Sequence, residues 1–347
     1  MTLLAIGLHA HPAGNEVVTI NRKPLAIQKM ISKTGTIGET LLVTPLSDPS
    51  SKPFNVVLFQ GLLPHPSLKI DVGIPAQDGE NITWQPAFLK MFPQNRFWGR
   101  VVFNEMQRGP VRLRFTAQNP LSGLLTIYSV ETFFEPESLE RRQSAPIRRV
   151  RKNSKAVERP AIISREEWGA RSPKEDYEAH APRRYTQHHT SGRRTFALED
   201  SIQEIRFIQD FHQNGRKWND IGYHFIIDGE GRIFQGRPET VLGAHTKHNN
   251  QDNVGVSFLG YYQEPVNDRL NENQIESAVS LYSWLSSTYQ IAPDTLRGHR
   301  DYRNTDCPGD FVYELLDSFK TQVQNRLRPP DARSSFVLPG IQANAGF

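Results

Sequence analysis

Two domains of different class are predicted: an N-terminal all-β domain, antiparallel and sandwich-like, and a C-terminal α/β domain with a central mixed sheet flanked by helices. Three observations predict them. Before residue 135, short apolar runs are punctuated by Pro and Gly with hardly any helical spacing. After residue 161, apolar residues recurring every three or four positions alternate with strand-like runs, which is the signature of helices packed on a sheet. Between them the pattern dissolves into Pro, Ser, Gln and Arg, and a chain of 347 residues has room for two domains. The expected division is 1–135 (β-rich), 136–160 (a basic flexible linker), 161–327 (α/β) and 328–347 (a loose tail).

The β-rich part reads as strands near 17–20, 40–44, 55–60, 68–72, 97–103, 111–115 and 124–134. The run Val111-Arg112-Leu113-Arg114-Phe115 after Gly109-Pro110 carries the clean alternation of a half-buried strand. Residues 1–10 have a short apolar run without a basic start, and read as a first strand rather than the remnant of an export signal. Trp84, Phe88, Phe92, Phe97 and Trp98 are expected chiefly to fill the β core, with a sugar-stacking platform as the alternative.

In the second half, Leu198, Ile202, Ile205 and Ile208 mark one helix. Ile275, Ala278, Val279, Tyr282 and Leu285 mark a second, with Asn271 and Gln274 spaced as a capping pair. Phe311, Leu315, Leu316, Phe319 and Val323 mark a third, stopped by Arg328-Pro329-Pro330. Strands are expected near 185–188, 223–227, 232–235, 254–259 and 296–298, with Asp228-Gly229-Glu230-Gly231 as a hairpin turn joining two of them.

Charge is unevenly spread. Residues 1–135 carry +3 (12 basic, 9 acidic), 136–160 carry +5 (8 basic, 3 acidic) and 161–347 carry −4 (21 basic, 25 acidic). The basic run Arg148-Arg149-Val150-Arg151-Lys152 suits an extended solvated linker or contact with an anionic polymer better than specific nucleic-acid binding. No apolar run approaches the ~18 residues of a membrane helix. The single cysteine, Cys307, rules out an internal disulfide framework.

Cys307 lies eight positions after His299, in Gly298-His299-Arg300-Asp301-Tyr302-Arg303-Asn304-Thr305-Asp306-Cys307-Pro308-Gly309, well downstream of His188-His189. These are three zinc-type ligands without a dedicated fourth. Structural zinc sites are closed by four protein ligands, whereas catalytic ones keep a corner for water, so a sparse set points to hydrolysis. A buried thiol with unrelated histidines is the plainer alternative. His189 competes with His188 for the first position. No His-Glu-x-x-His pattern occurs, so the general base of that protease type is missing.

The runs Ile163 through Arg171, His188-His189-Thr190, Asp220-Ile221-Gly222-Tyr223-His224-Phe225, Gly243-Ala244-His245-Thr246, Val254 through Gly260 and Gly298 through Gly309 together resemble the type 2 N-acetylmuramoyl-L-alanine amidases, a family that includes catalytic peptidoglycan recognition proteins. The likeness covers about residues 161–327 and none of residues 1–160. It implies one zinc ion held by His188, His299 and Cys307, the earlier histidine of the pair being the ligand. It also implies a catalytic Tyr223 that hydrogen-bonds the zinc water or the developing oxyanion, and a catalytic Thr305. Trp218, Arg237, His245, Thr246 and Asn250 would contact the glycopeptide, while His224 and His212 read as structural. The implied reaction is hydrolysis of the amide between the lactyl group of N-acetylmuramic acid and L-alanine in peptidoglycan, in an extracellular or envelope setting. A non-catalytic muropeptide-recognition module is the alternative. Residues 1–135 are expected to target the enzyme to the envelope, with autoinhibition as the other reading.

Overall fold

A computed structural model describes residues 16–32, 36–76, 81–135 and 157–328. The strand expected at 1–10, most of the linker at 136–160 and most of the tail at 328–347 lie outside these described residues.

Residues up to 135 form strands β1 (Glu16–Val17), β2 (Thr19–Ile20), β3 (Lys23–Pro24), β4 (Ile27–Ile31), β5 (Thr40–Val43), β6 (Phe54–Leu62), β7 (Lys69–Pro75), β8 (Ile82–Pro86), β9 (Phe88–Met91), β10 (Arg96–Gln107), β11 (Arg112–Thr116) and β12 (Gly123–Phe133). One antiparallel sheet runs β1-β12-β6-β10-β9, with β4 also on β12; a second runs β5-β11-β7-β8. Phe59, Phe97 and Ile127 of the first sheet and Val72, Leu113 and Phe115 of the second belong to one buried cluster, so the two sheets share a core. β4, β8 and β9 carry no clear alternation and were not expected from the sequence.

β6 differs from β11 in having almost no polar face. Its run Phe54-Asn55-Val56-Val57-Leu58-Phe59 is buried on both sides, because successive side chains of a strand point to opposite faces. Val57 and Phe59 enter the β core. Val56 and Leu58, with Trp98 and Phe133, point outward into a second cluster that contains Trp168, Ile205, Phe207, Ile208 and Phe211 of the C-terminal half. The outer face of the first sheet is therefore an interior surface. Of the five aromatics expected in the β core, Phe97 and Trp98 are buried but on opposite faces, and Phe92 packs edge-on against Phe207 with centroids 5.0 Å apart. Trp84 lies under Arg114, and Phe88 is 63% exposed against Trp98.

The C-terminal half has one six-stranded mixed sheet in the order β13-β16-β15-β17-β14-β18. Its strands are β13 (Ile162–Ile163), β14 (Arg184–His189), β15 (Phe225–Ile227), β16 (Ile233–Gln235), β17 (Asn253–Phe258) and β18 (Arg297–Gly298). All neighbours are parallel except β15 and β16, which the 228–231 turn joins as an antiparallel hairpin. Helix α1 (Leu198–Asp210), continued by one wider turn at Phe211–Gly215, covers one face; α2 (Glu272–Tyr289) and α4 (Leu316–Leu327) cover the other. Asn271 caps α2 reciprocally with Gln274. The third expected helix is two pieces, α3 (Asp310–Tyr313) and α4, separated at Glu314 and Leu315.

Charged and polar pairs surround the apolar contact between the halves. Arg96, 2% exposed, meets the carboxylate of Glu204, 3% exposed, through Nε and Nη2 at 3.0–3.1 Å, and its guanidinium carbon lies 3.8 Å from the Phe207 ring centroid. Asp210 accepts from Trp98 Nε1 at 2.9 Å and Lys90 Nζ at 2.6 Å on one side of the junction, and from Arg171 at 2.8 Å on the other. Glu131 pairs with Arg216, and Gln60 Nε2 donates to Ser191 O at 3.1 Å.

Candidate metal centre

Parallel strands deliver the first two donors. β14 lies between β17 and β18, and His188 sits at its C-terminal end, where ligand sites of parallel sheets collect. β18 pairs with β14 at Thr186 and Gln187, so His299, the next residue after β18, emerges beside His188; their ring centroids are 4.6 Å apart. The chain then turns back. Asp301 Oδ2 accepts from Gly298 N at 2.8 Å, Arg300 N donates to Cys307 O at 2.9 Å, and the Arg300 guanidinium ties Asp306 O and Asp310. Gly309, at φ +88°, completes the turn in a conformation an L side chain rarely adopts. Cys307 Sγ thereby comes to 3.5 Å from His188 Nδ1.

One ligand atom from each of His188, His299 and Cys307 falls within 4.8 Å of the others. The donor chemistry suits a divalent ion of the zinc class. His299 Nε2 is buried without a hydrogen-bond partner, beside a buried thiol and a second imidazole nitrogen, and such an orphan is costly unless something binds it. Burial, then the neighbouring His299 and His245, hold His188 well below the usual histidine range. Burial, then Arg303, brings His299 down to about 3, and burial pushes the Cys307 thiol up to about 12. Both rings are thus neutral, as ligands must be, and a metal entering the site displaces the thiol proton.

His245 sets which nitrogen His188 presents. His245 Nε2 faces the carbonyl of Asn253 at 3.1 Å and so carries its proton; its Nδ1, 3.0 Å from His188 Nε2, is left as an acceptor. His188 therefore donates from Nε2 and keeps the Nδ1 lone pair toward Cys307. The His245 ring lies directly on Gly255, where an added Cβ would meet it at 2.5 Å. His189 points to the other face of β14, its Nε2 on Ser191 Oγ at 2.8 Å, and lies outside the three-donor cluster. His224 is saturated by Gly255 N and Val241 O, and His212 Nδ1 accepts from Gly222 N at 3.0 Å.

The donors lie in a cavity of about 370 Å³. Tyr223 lines it with its ring centroid 5.3 Å from that of His188; burial first, and nearby Cys307 second, raise its phenol above the usual tyrosine range, so it stays a proton donor. Thr305 also lines the cavity, its Oγ1 accepting from Cys307 N at 3.3 Å. Trp218, His245 and Asn250 line it too, Asn250 Oδ1 accepting from His245 N and Thr246 N at 2.9 and 2.7 Å.

Two expected glycopeptide contacts are placed elsewhere. Thr246 is fully buried behind His245, with Oγ1 3.0 Å from its Nδ1. Arg237 is a buried strut whose guanidinium donates to Ile221 O and Leu242 O at 2.7 Å each, and it does not reach the cavity. In the other direction, Tyr128, Ser129, Glu131 and Phe133 of β12 line the same cavity as the donors, together with Arg216, Tyr261 and Gln263. None belongs to a motif; the lack of alternation in the β6 run, a sign that both faces are covered, was the available hint.

A family profile described as N-acetylmuramoyl-L-alanine amidase matches residues 178–310, and no family matches the N-terminal region. Peptidoglycan-recognition protein SC2 of Drosophila simulans is 35% identical over 165 residues, which are 47% of this chain and 88% of that protein. The mouse N-acetylmuramoyl-L-alanine amidase is 35% identical over 131 residues, 37% of this chain and 24% of that protein. Among solved structures, a Drosophila PGRP-LB mutant in complex with tracheal cytotoxin is 34% identical at a TM-score of 0.40, covering 45% of this chain and 93% of that one. Through its second half, the chain belongs to the family of peptidoglycan-recognition proteins and N-acetylmuramoyl-L-alanine amidases.

Proposed function

We propose that this protein is a zinc-dependent N-acetylmuramoyl-L-alanine amidase that hydrolyses the amide between the lactyl group of N-acetylmuramic acid and L-alanine in peptidoglycan, outside the cell or in its envelope. The observation that carries this is the three-donor cluster, with an orphaned imidazole nitrogen, lying in a cavity beside a tyrosine held in its protonated form. In this reading the N-terminal sheets form a sandwich, and the domain division follows the sequence expectation.

His188 through Nδ1, His299 and Cys307 through Sγ would hold one zinc ion. When bound, zinc activates water at neutral pH and polarises the amide carbonyl. The protein's own groups do the rest. His245 and Asn253 keep His188 in the tautomer that leaves Nδ1 free. Tyr223 donates its phenolic hydrogen bond to the oxygen that gains charge as the carbonyl becomes tetrahedral. Thr305, whose oxygen already accepts from Cys307 N, has its hydroxyl proton available for the substrate. Trp218 offers a ring face at the cavity wall, stacked on Arg216 at 4.8 Å, against which a sugar or peptide can pack.

The test is digestion of purified peptidoglycan by the zinc-loaded full chain, with the products weighed by mass spectrometry. Release of peptides with a free L-alanine amino terminus, and of glycans with intact lactyl groups, is expected. Binding to peptidoglycan without release would replace the enzyme by a recognition module, the role named for the SC2 relative.

A further inference from the structure

The cavity that holds the metal donors has a second wall, and the amidase half does not supply it. Tyr128, Ser129, Glu131 and Phe133 come from β12, on the far side of the contact between the halves. The pairing of β12 with β6 slips between Ile127 and Ser129, and such a bulge re-aims side chains that regular pleating would direct elsewhere. Tyr128 packs against Tyr261 of the other half with ring centroids 6.2 Å apart, and both residues line the cavity.

Two residues that line this cavity carry a polar atom without a partner. Ser129 Oγ is buried with no hydrogen bond, and Gln263, 7% exposed, uses Nε2 on Asp306 at 3.2 Å but leaves Oε1 unpaired. One residue is on each side of the junction, and both line the cavity. An unpaired buried polar atom destabilises the empty site, a cost that a polar ligand between the walls removes. The wall is also held in place. Glu131 itself pairs with Arg216, and the buried contacts of Arg96 with Glu204 and of Trp98 with Asp210 anchor the same sheet. At about 370 Å³ the cavity is at the small end of ligand sites.

We infer that β12 is a substrate-contacting wall of the active site, that Ser129 and Gln263 hydrogen-bond the bound glycopeptide from opposite sides, and that the two-walled cavity selects single soluble muropeptides over the interior of the polymer. The identity of the ligand rests on the amidase reading; the existence of the second wall does not. A soluble unit can enter between fixed walls, whereas a bond inside a cross-linked sacculus arrives with bulky chain on every side.

The experiment uses the zinc-loaded full chain and its Ser129→Leu and Gln263→Leu variants. Substrates are intact sacculi, the same sacculi solubilised by a muramidase, and a synthetic N-acetylmuramoyl tripeptide. The wild type should cleave solubilised material about tenfold faster per bond than intact sacculi, and each variant should raise KM for the synthetic muropeptide about fivefold, as loss of one buried hydrogen bond implies, with kcat and Tm little changed. Equal rates on intact and solubilised sacculi overturn the size selection, and an unchanged KM in both variants overturns the contact. If the wild type cleaves nothing, the amidase reading fails, and calorimetric binding of the same muropeptide decides the wall. A Kd weakened about fivefold by both variants then sustains it, and an unchanged Kd removes it.

Discussion

The two walls of the cavity are built on different terms. On the amidase side, the donors are oriented by specific neighbours: His188 leans on His245, His245 on Asn253 O, and the Cys307 loop is tied by Arg300. On the β12 side the lining is Tyr128, Ser129 with its unpaired hydroxyl, Glu131 and Phe133, and position comes from the Glu131–Arg216 pair and from Arg96 and Trp98 on β10. The difference teaches that a wall presenting metal-type donors needs those donors oriented by their neighbours, whereas a wall that faces a ligand needs rigid placement of a surface.

That comparison breaks first at the metal. Cys307→Ser or His299→Ala is expected to abolish both bound zinc and turnover, because a three-ligand site cannot spare one; metal analysis of the purified variants and product release check it. Full activity in a metal-free variant would remove the orienting wall's purpose.

The anchoring of the other wall comes next. Arg96→Ala leaves Glu204 as an uncompensated buried charge, so a loss of about 3–5 kcal/mol in unfolding free energy is expected from denaturant titration. A stability within experimental error of wild type would mean that the two halves are not held by this pair.

Tyr223→Phe sharpens the distinction between orienting and reacting groups. It removes only a hydroxyl, so fold and zinc content should persist while turnover falls about 10²-fold. His245→Ala probes the layer behind: loss of the group that orients His188 should weaken metal affinity about 10–100-fold with the first three ligands intact, as read by competition with a chelator.

The smallest effect concerns acid. Burial alone would raise the Asp210 carboxyl, but donors from Lys90, Trp98, Arg171 and Asn214 hold it below the usual carboxylate range. A depressed folded value contributes stability above the unfolded value, near 3.8, that is lost as pH falls through the folded one. Melting curves should therefore fall more steeply below pH ~4 in the wild type than in Asp210→Asn, which should already melt lower at pH 7.

Much of the C-terminal half was legible because its determinants are local. The Asn271 and Gln274 cap, the 228–231 hairpin and the apolar spacing of α1 and α2 each act within one turn or one helix, and the observed elements follow them. Cys307 stood out as the single cysteine, a local signal as well, whereas the set His188, His299 and Cys307, with His188 rather than His189, was implied by the family resemblance of the surrounding motifs. The break between α3 and α4 and the strands β4, β8 and β9 were not visible, since neither spacing nor turn chemistry marks them.

What the sequence by itself determined is therefore the class of each half and the inventory of donors, for these depend on periodicity and residue chemistry over short stretches. Which nitrogen of His188 faces Cys307, the burial of Arg237 and Thr246 away from the cavity, and the placement of β12 along the cavity were decided only by tertiary structure. The reason is physical. Each depends on a partner distant in sequence, such as Leu58 meeting the α1 face or Arg96 meeting Glu204, and chain-local patterning carries no record of which surface will cover an apolar face.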